Sequence, residues 1–383
     1  MSRAPLIALL LLALAPSGCA KPLKPGDPIR GLTSEQLDRF RRGKAVFDSV
    51  FTPETGLGPL FNAPACGQCH EDPAAGGVGD ETEVHATQFR ADGDCDQLVG
   101  EGGPVIQQHV TPALKAALGI DQEPFPKDAT ARAVRSTPAI FGRGLLDAVP
   151  DSEILSHADP GDRNHDGISG RPNRFVDGRI GRFGRKAFVP TLDEFNAGAF
   201  VIEEGITSPA VLTEESIGGL PIPAGVDPVP EPEIDQRALD LTNDFVRFLA
   251  PPSPAALTHE GKEGQRLFAR IGCASCHLPT LRTGDSPLPA LRYKTFFAYT
   301  DLLLHDMGAD RGDICLGLAT PSEFRTEPLI GLRFAKKFLH DGGAATLEQA
   351  IELHGGEGAA ARERFRQLHQ EERSALAEFL KSL

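Results

Sequence analysis

Tryptophan is absent from this 383-residue chain, tyrosine occurs twice and methionine twice. Met307 is therefore the one methionine besides the initiator, which sets it apart from generic core filler. After the first 19 residues no stretch is apolar enough to span a bilayer. Basic residues are outnumbered 39 to 53, for a formal charge of −14. Such a balance argues against nucleic acid and anionic membrane surfaces; it suits solubility or a basic redox partner. At this length the chain can bury a large core and divide into two or three domains.

What the sequence does contain is a motif used twice. Cys66-Gly67-Gln68-Cys69-His70 and Cys273-Ala274-Ser275-Cys276-His277 each place two thiols two residues apart with histidine immediately after. That is the arrangement for covalent haem c: the cysteines form thioethers with the vinyl groups and the imidazole ligates the iron. A structural zinc site usually takes four protein ligands and has no reason to repeat the adjacent histidine.

The chain has seven cysteines. Residues 1–19 read as an export signal, with Arg3 before a Leu/Ala/Ile run from Leu6 to Leu14 that is too short for an anchor. Ser17-Gly18-Cys19 matches a lipoprotein cleavage box, although Pro16 is atypical, so the expectation is a periplasmic product, lipid-tethered through Cys19 or soluble. Four more cysteines serve haem. Cys95 and Cys315 remain, either as a disulfide in an oxidising compartment or as buried thiols.

Helical spacing precedes both motifs, with Leu37, Phe40, Val46 and Phe47 before the first and Leu267 and Phe268 before the second. Closing helices follow at Arg237–Leu249, stopped by Pro251 and Pro252, and at Glu371–Leu383. Gly218–Pro232 reads as a surface loop. Arg135-Ser136-Thr137-Pro138 resembles Arg325-Thr326-Glu327-Pro328, and Pro190–Glu194 echoes Ala345–Gln349 at a helix start. The fold expected is mainly α: two cytochrome c-like haem domains over 20–252 and 253–383, the first enlarged by loop-rich insertions.

Second axial ligands decide whether a haem carries electrons or binds a small molecule. For the second haem the candidates are His354, His340 and Met307; for the first, His85, with His109 also in view. Asp162-x-Asn164-x-Asp166-Gly167-Ile168 matches the first half of an EF-hand-like Ca2+ loop, with side-chain oxygens at alternate positions and the Ile168 carbonyl next. The usual closing glutamate is replaced by Asn173, with Asp159 as a compensating carboxylate; the alternative is an Asp/Gly-rich turn.

The paired motifs joined to Arg182-Phe183-Gly184, Tyr299–Gly308 and Phe338–Gly342 resemble the bacterial di-haem oxidoreductase family of peroxidases, and more distantly di-haem cytochrome c peroxidase and the di-haem enzyme that matures methylamine dehydrogenase. The resemblance implies that the N-terminal haem binds hydrogen peroxide and that the C-terminal haem relays electrons from a donor cytochrome or cupredoxin. It also implies Glu203 as the distal acid, and His354 as distal ligand with Met307 as runner-up. Where the peroxidases have a tryptophan between the haems and a distal glutamine, this chain has Arg185 and Phe195. Arginine is a poor stepping stone for an oxidising hole. Phe183 or Tyr299 could relay instead. Two rival readings stay open: a non-enzymatic electron-transfer cytochrome, and peroxide-dependent oxidation of a protein partner.

Overall fold

The computed structural model describes residues 21–383, so the expected export signal and Cys19 lie outside the described residues. Two helix pairs frame the molecule, and each puts its leading helix just before a Cys-x-x-Cys-His motif. Thr33 opens the helix Ser34–Phe47 with a reciprocal cap, its hydroxyl accepting from Gln36 N–H while the Gln36 side chain takes the Thr33 N–H. Phe40 and Phe47 then pack on Phe245 of the helix Gln236–Phe248, at ring-centroid distances of 5.2 and 4.8 Å.

The crossing is close because of Gly43, where an added Cβ would meet the Leu241 carbonyl oxygen at 1.9 Å. Helix His259–Arg270 meets Gln370–Leu380 in the same way: Gly264 abuts the Ala375 carbonyl, again 1.9 Å from a notional Cβ, and Phe268 packs on Phe379 at 5.4 Å. Gly43-x-x-Val46-Phe47 and Gly264-x-x-Leu267-Phe268 are thus one device used twice. Thr191 and Thr346 likewise cap the helices Leu192–Glu204 and Leu347–Glu352, as the echo between those segments predicts.

Helices supply most of the regular structure, with strands as a minor part. The polar stretch that holds His85 differs from the expectation. It forms a strand, Thr82–Phe89, pairing antiparallel with Ala131–Ser136, Val105–Ile106 and Cys95–Asp96. Val84 and Ala86 alternate inward and fill this small sheet's own core. The signal was period two, which polarity of composition obscures.

The largest apolar cluster continues past Pro252, joining Phe40, Phe47 and Phe245 to Leu281, Phe296 and Leu303. Gly218–Pro232 is irregular, as expected. There and nearby, carboxylates of Glu214, Asp227, Glu231 and Glu233 lie within 4.8 Å of one another. Burial and the neighbouring acids push Glu214 up to about 9, so it stays protonated at neutral pH.

Cys95 and Cys315 form a disulfide, with Cα atoms 5.8 Å apart and a sequence separation of 220. It ties the sheet to the chain beyond the second motif. Replacing both by serine should cost about 2–4 kcal/mol, because the bond restricts the unfolded chain. A denaturant midpoint unchanged from wild type would show that the cross-link constrains nothing that folding does not already fix.

Candidate functional site

Each motif histidine is held by a backbone carbonyl. His70 Nδ1 donates to Pro138 O at 3.0 Å, with Gly77 O at 3.3 Å, and His277 Nδ1 donates to Tyr299 O at 2.9 Å. A proton fixed on Nδ1 leaves Nε2 with its lone pair, the arrangement a metal-ligating imidazole needs. Burial reinforces it, lowering His70 and pulling His277 down to about 4, so both rings are neutral.

Burial drives the thiols the other way. Cys69 and Cys273 are pushed up to about 12, and Cys66 and Cys276 are raised as well. A dithiol redox site needs a thiolate, which such burial disfavours.

Beside the second motif lies a cavity of about 380 Å³, at the lower end of the range of roughly 300–1,000 Å³ that cofactor pockets occupy. Cys273, Cys276 and His277 line one part; His354 and Met307 line another. His354 Nδ1 donates to Ala350 O at 2.7 Å, four residues back on the same turn, so its Nε2 is also left as an acceptor. His340 is stacked on Phe324 at 4.2 Å. The cavity extends to Ser136–Ala139, the segment whose Pro138 carbonyl holds His70, so one stretch of backbone holds the first motif's imidazole and borders the second motif's cavity. These donors and this space fit a covalent haem at the second motif. At the first, the oriented imidazole and paired thiols are the same donor set, while the cavity of about 80 Å³ lined by Val78, Glu81 and Thr82 includes none of Cys66, Cys69 and His70.

Tyr299 turns its ring to Phe297, Phe268 and Phe379, and Phe183 faces Phe195. Arg185 reaches the cavity, whereas Phe195 is 36% exposed.

The fold brings Glu203 to the first motif. Its backbone carbonyl accepts from Asn62 and Ala63 N–H, its Oε2 accepts from Asn62 Nδ2 at 2.9 Å, and the next residue, Glu204, takes a hydrogen bond from Cys66 Sγ at 2.9 Å. Burial raises Glu203 well above the ordinary carboxylate range, and the charge of Glu83 raises it further. Burial works on Glu83 too, but the hydrogen bond from His85 Nε2, at 2.9 Å, and the electrostatic pull of His85 and Arg135 hold it low. His85 thus sits as the partner of Glu83. Two adjacent carboxyls with affinities pushed apart are what acid–base chemistry uses.

Sequence reading missed three neighbours. Gln108 donates to Asn62 Oδ1, Glu204 is almost fully buried and raised to about 7 by that burial, and Glu83 complements Glu203. Only the alternation of the strand Thr82–Phe89 could have marked Glu83 and His85 as sharing a face.

In the loop Asp162–Ile168, Asp162 Oδ1 accepts from Asp166 and Gly167 N–H and Asp166 Oδ1 from Ile168 N–H, while Asn164 Oδ1 also caps Asp166. Asn173 does not join it: it is fully buried and donates to Lys186 O and Leu316 O instead. Asp159 pairs with Arg163. The expected closing ligand and its substitute are therefore engaged elsewhere, because Asn173 serves as a bracket between two backbone segments. Among the described residues no helix is long and apolar enough to cross a membrane.

The family model described as "Di-haem oxidoreductase, putative peroxidase" matches residues 115–383. Cytochrome c551 peroxidase of Nitrosomonas europaea is 30% identical over 128 residues, which is 33% of this chain and 35% of that protein, so the chain matches about a third of this relative's length. Among solved structures, the diheme peroxidase BthA of Burkholderia thailandensis is 16% identical with a TM-score of 0.43, covering 90% of this chain and 86% of that one. Hydrazine synthase of Kuenenia stuttgartiensis is 15% identical with a TM-score of 0.43, covering all of both chains.

Proposed function

The chain belongs to the di-haem oxidoreductase, putative peroxidase, family, and from that premise we propose that it carries two c-type haems and reduces hydrogen peroxide at one of them, with electrons entering through the other. Cys66, Cys69 and His70 would hold the haem at which peroxide is reduced; Cys273, Cys276 and His277 would hold the relay haem, with His354 on the same cavity wall as a further nitrogen donor. Bound in these places, the irons supply peroxide coordination and electron storage. Hydrogen peroxide, two electrons and two protons give two waters.

The observation that carries the reading is the repeated motif with each imidazole Nδ1 committed to a backbone carbonyl, together with Glu203 held by Asn62 near the first motif. In its ionised form Glu203 takes the proton from one peroxide oxygen and returns it to the other, so that oxygen leaves as water. Asn62 fixes the Glu203 carboxyl at its Oε2 and Gln108 fixes Asn62, leaving the Glu203 proton site aimed by neutral donors. Glu83 stays charged on His85 and supplies the negative field that keeps Glu203 basic.

The donor would be a small cytochrome or cupredoxin, and the export signal with Cys19 supports a periplasmic product, tethered or released. The Asp162–Ile168 loop supports Ca2+ binding through its first half alone, since Asn173 and Asp159 are occupied. Protein made in cells that mature cytochromes should retain two haems after denaturation and consume peroxide once partly reduced. Absence of covalent pigment would end the reading; two haems without turnover would leave an electron carrier.

A further inference from the structure

Resting on that reading, the most telling feature outside the acid–base pair is an excess of buried positive charge on the cavity wall, in a chain whose overall charge is −14. Glu327 is shared by three guanidiniums. Arg185 Nη1 reaches its Oε2 at 2.9 Å, Arg325 Nη2 reaches the same oxygen at 2.6 Å, and Arg143 Nη2 reaches Oε1 at 3.2 Å.

Each arginine is also tied to backbone: Arg185 to Ser136 O, Arg325 to Gly184 O and Arg143 to Ala139 O. The three are pinned rather than adaptable surface groups. Their side chains are 16%, 3% and 9% exposed. Three guanidiniums thus share one carboxylate, with the charge of Asp301 as a further offset on Arg325.

The charge has a direction. Arg325 Nη1 is fully shielded from solvent and has no hydrogen-bond partner, and Arg325, Arg185 and Glu327 all line the cavity that Cys273, Cys276 and His277 enter. Burial, added to by Arg143 and Arg185, pulls Arg325 down to about 10 even with Glu327 beside it. A buried cation without an anion is costly, and guanidinium is the group suited to two-point recognition of carboxylate. The neighbouring Asp313 is shared in the same fashion by Arg135 and Lys186.

We propose that Arg185 and Arg325 anchor the two propionate carboxylates of the haem attached at Cys273 and Cys276. Thioethers fix the vinyl edge of that porphyrin, and the propionates project from the opposite edge. The propionates add anions to guanidiniums that otherwise share Glu327, and supply the acceptor that Arg325 Nη1 lacks. Glu327 is the positioning residue that splays the arginines. The internal echo between Arg135–Pro138 and Arg325–Pro328 marks this wall in the sequence, since Ser136 and Arg325 each contribute to it.

The test compares wild type, Arg325→Gln, Arg325→Lys and Arg185→Gln as covalently loaded proteins. Two readouts serve: resonance Raman bands of propionate bending, and the midpoint potential of each haem by spectroelectrochemistry. Arg325→Gln and Arg185→Gln should each move the propionate band and lower the potential of the C-terminal haem, because a positive charge that favours the reduced iron is lost. Arg325→Lys should restore most of the potential but not the band position. Arg366→Gln, at an exposed residue paired with Glu352, should change neither. Unmoved bands and potentials in both glutamine variants, with two haems retained, would overturn the assignment. So would a saturable spectral response to formate that Arg325→Gln abolishes while the bands stay put, which would mark the wall as a site for a free carboxylate. Absence of covalent pigment in wild type would instead strike the proposed function itself.

Discussion

Glu203→Gln is expected to lower peroxide turnover by about 10²–10⁴-fold, the range that a positioned acid–base group contributes, with both haems and their spectra retained. Glutamine keeps the shape and the contact to Asn62 but cannot accept a proton. The pH profile separates this from general damage. Burial and Glu83 raise Glu203 well above the ordinary carboxylate range, and the ionised form is the working one. Wild-type turnover should therefore rise with pH along a limb set above the usual carboxylate range, and the variant should lose that limb.

Stability should move in the opposite direction. Because the folded pKa is the raised one, the folded protein holds a proton that the unfolded chain has already released. The contribution of Glu203 to stability is full below about 4.5 and fades as pH rises through the folded value. At pH 8 the variant should thus melt no lower than wild type, and higher if Glu203 is ionised there, a trade of activity for stability. Equal turnover in the two proteins would remove Glu203 from the chemistry while leaving the haem assignment in place.

His354→Ala is expected to convert the C-terminal haem from six-coordinate low spin to high spin, read by electron paramagnetic resonance of the oxidised protein. His354→Met should instead keep six ligands and raise the potential, since methionine favours the reduced iron. The shift should be roughly 0.1 V or more, given that axial ligands span about 0.8 V. Geometry favours His354 over Met307: its Nδ1 is committed to the Ala350 carbonyl, so the ring presents Nε2 in a fixed orientation. A thioether on a loop that follows Asp306 has no such tether for its sulfur. Met307→Leu should leave the spectrum of the resting protein unchanged. If Met307→Leu produced the high-spin signal and His354→Ala did not, the two roles would be exchanged.

The sequence by itself determined what depends on neighbours along the chain. Two thiols and an imidazole within five residues define a covalent attachment site wherever the chain goes, and Thr33, Thr191 and Thr346 cap their helices through contacts three residues away. Gly43 and Gly264 belong to the same class, because each precedes its phenylalanine by four residues and so falls on the same helical face. The strand Thr82–Phe89 was legible only by period, which its polar residues masked. Tertiary structure decided the rest: that Cys95 meets Cys315 far along the chain, that Glu83 lands beside Glu203, that Asn173 braces backbone instead of closing a loop, and that Arg143 and Arg185 join the nearby Arg325 on Glu327. The reason is that proton affinity and charge balance depend on what surrounds a side chain in space, and burial among distant residues changes both without any mark in the local sequence.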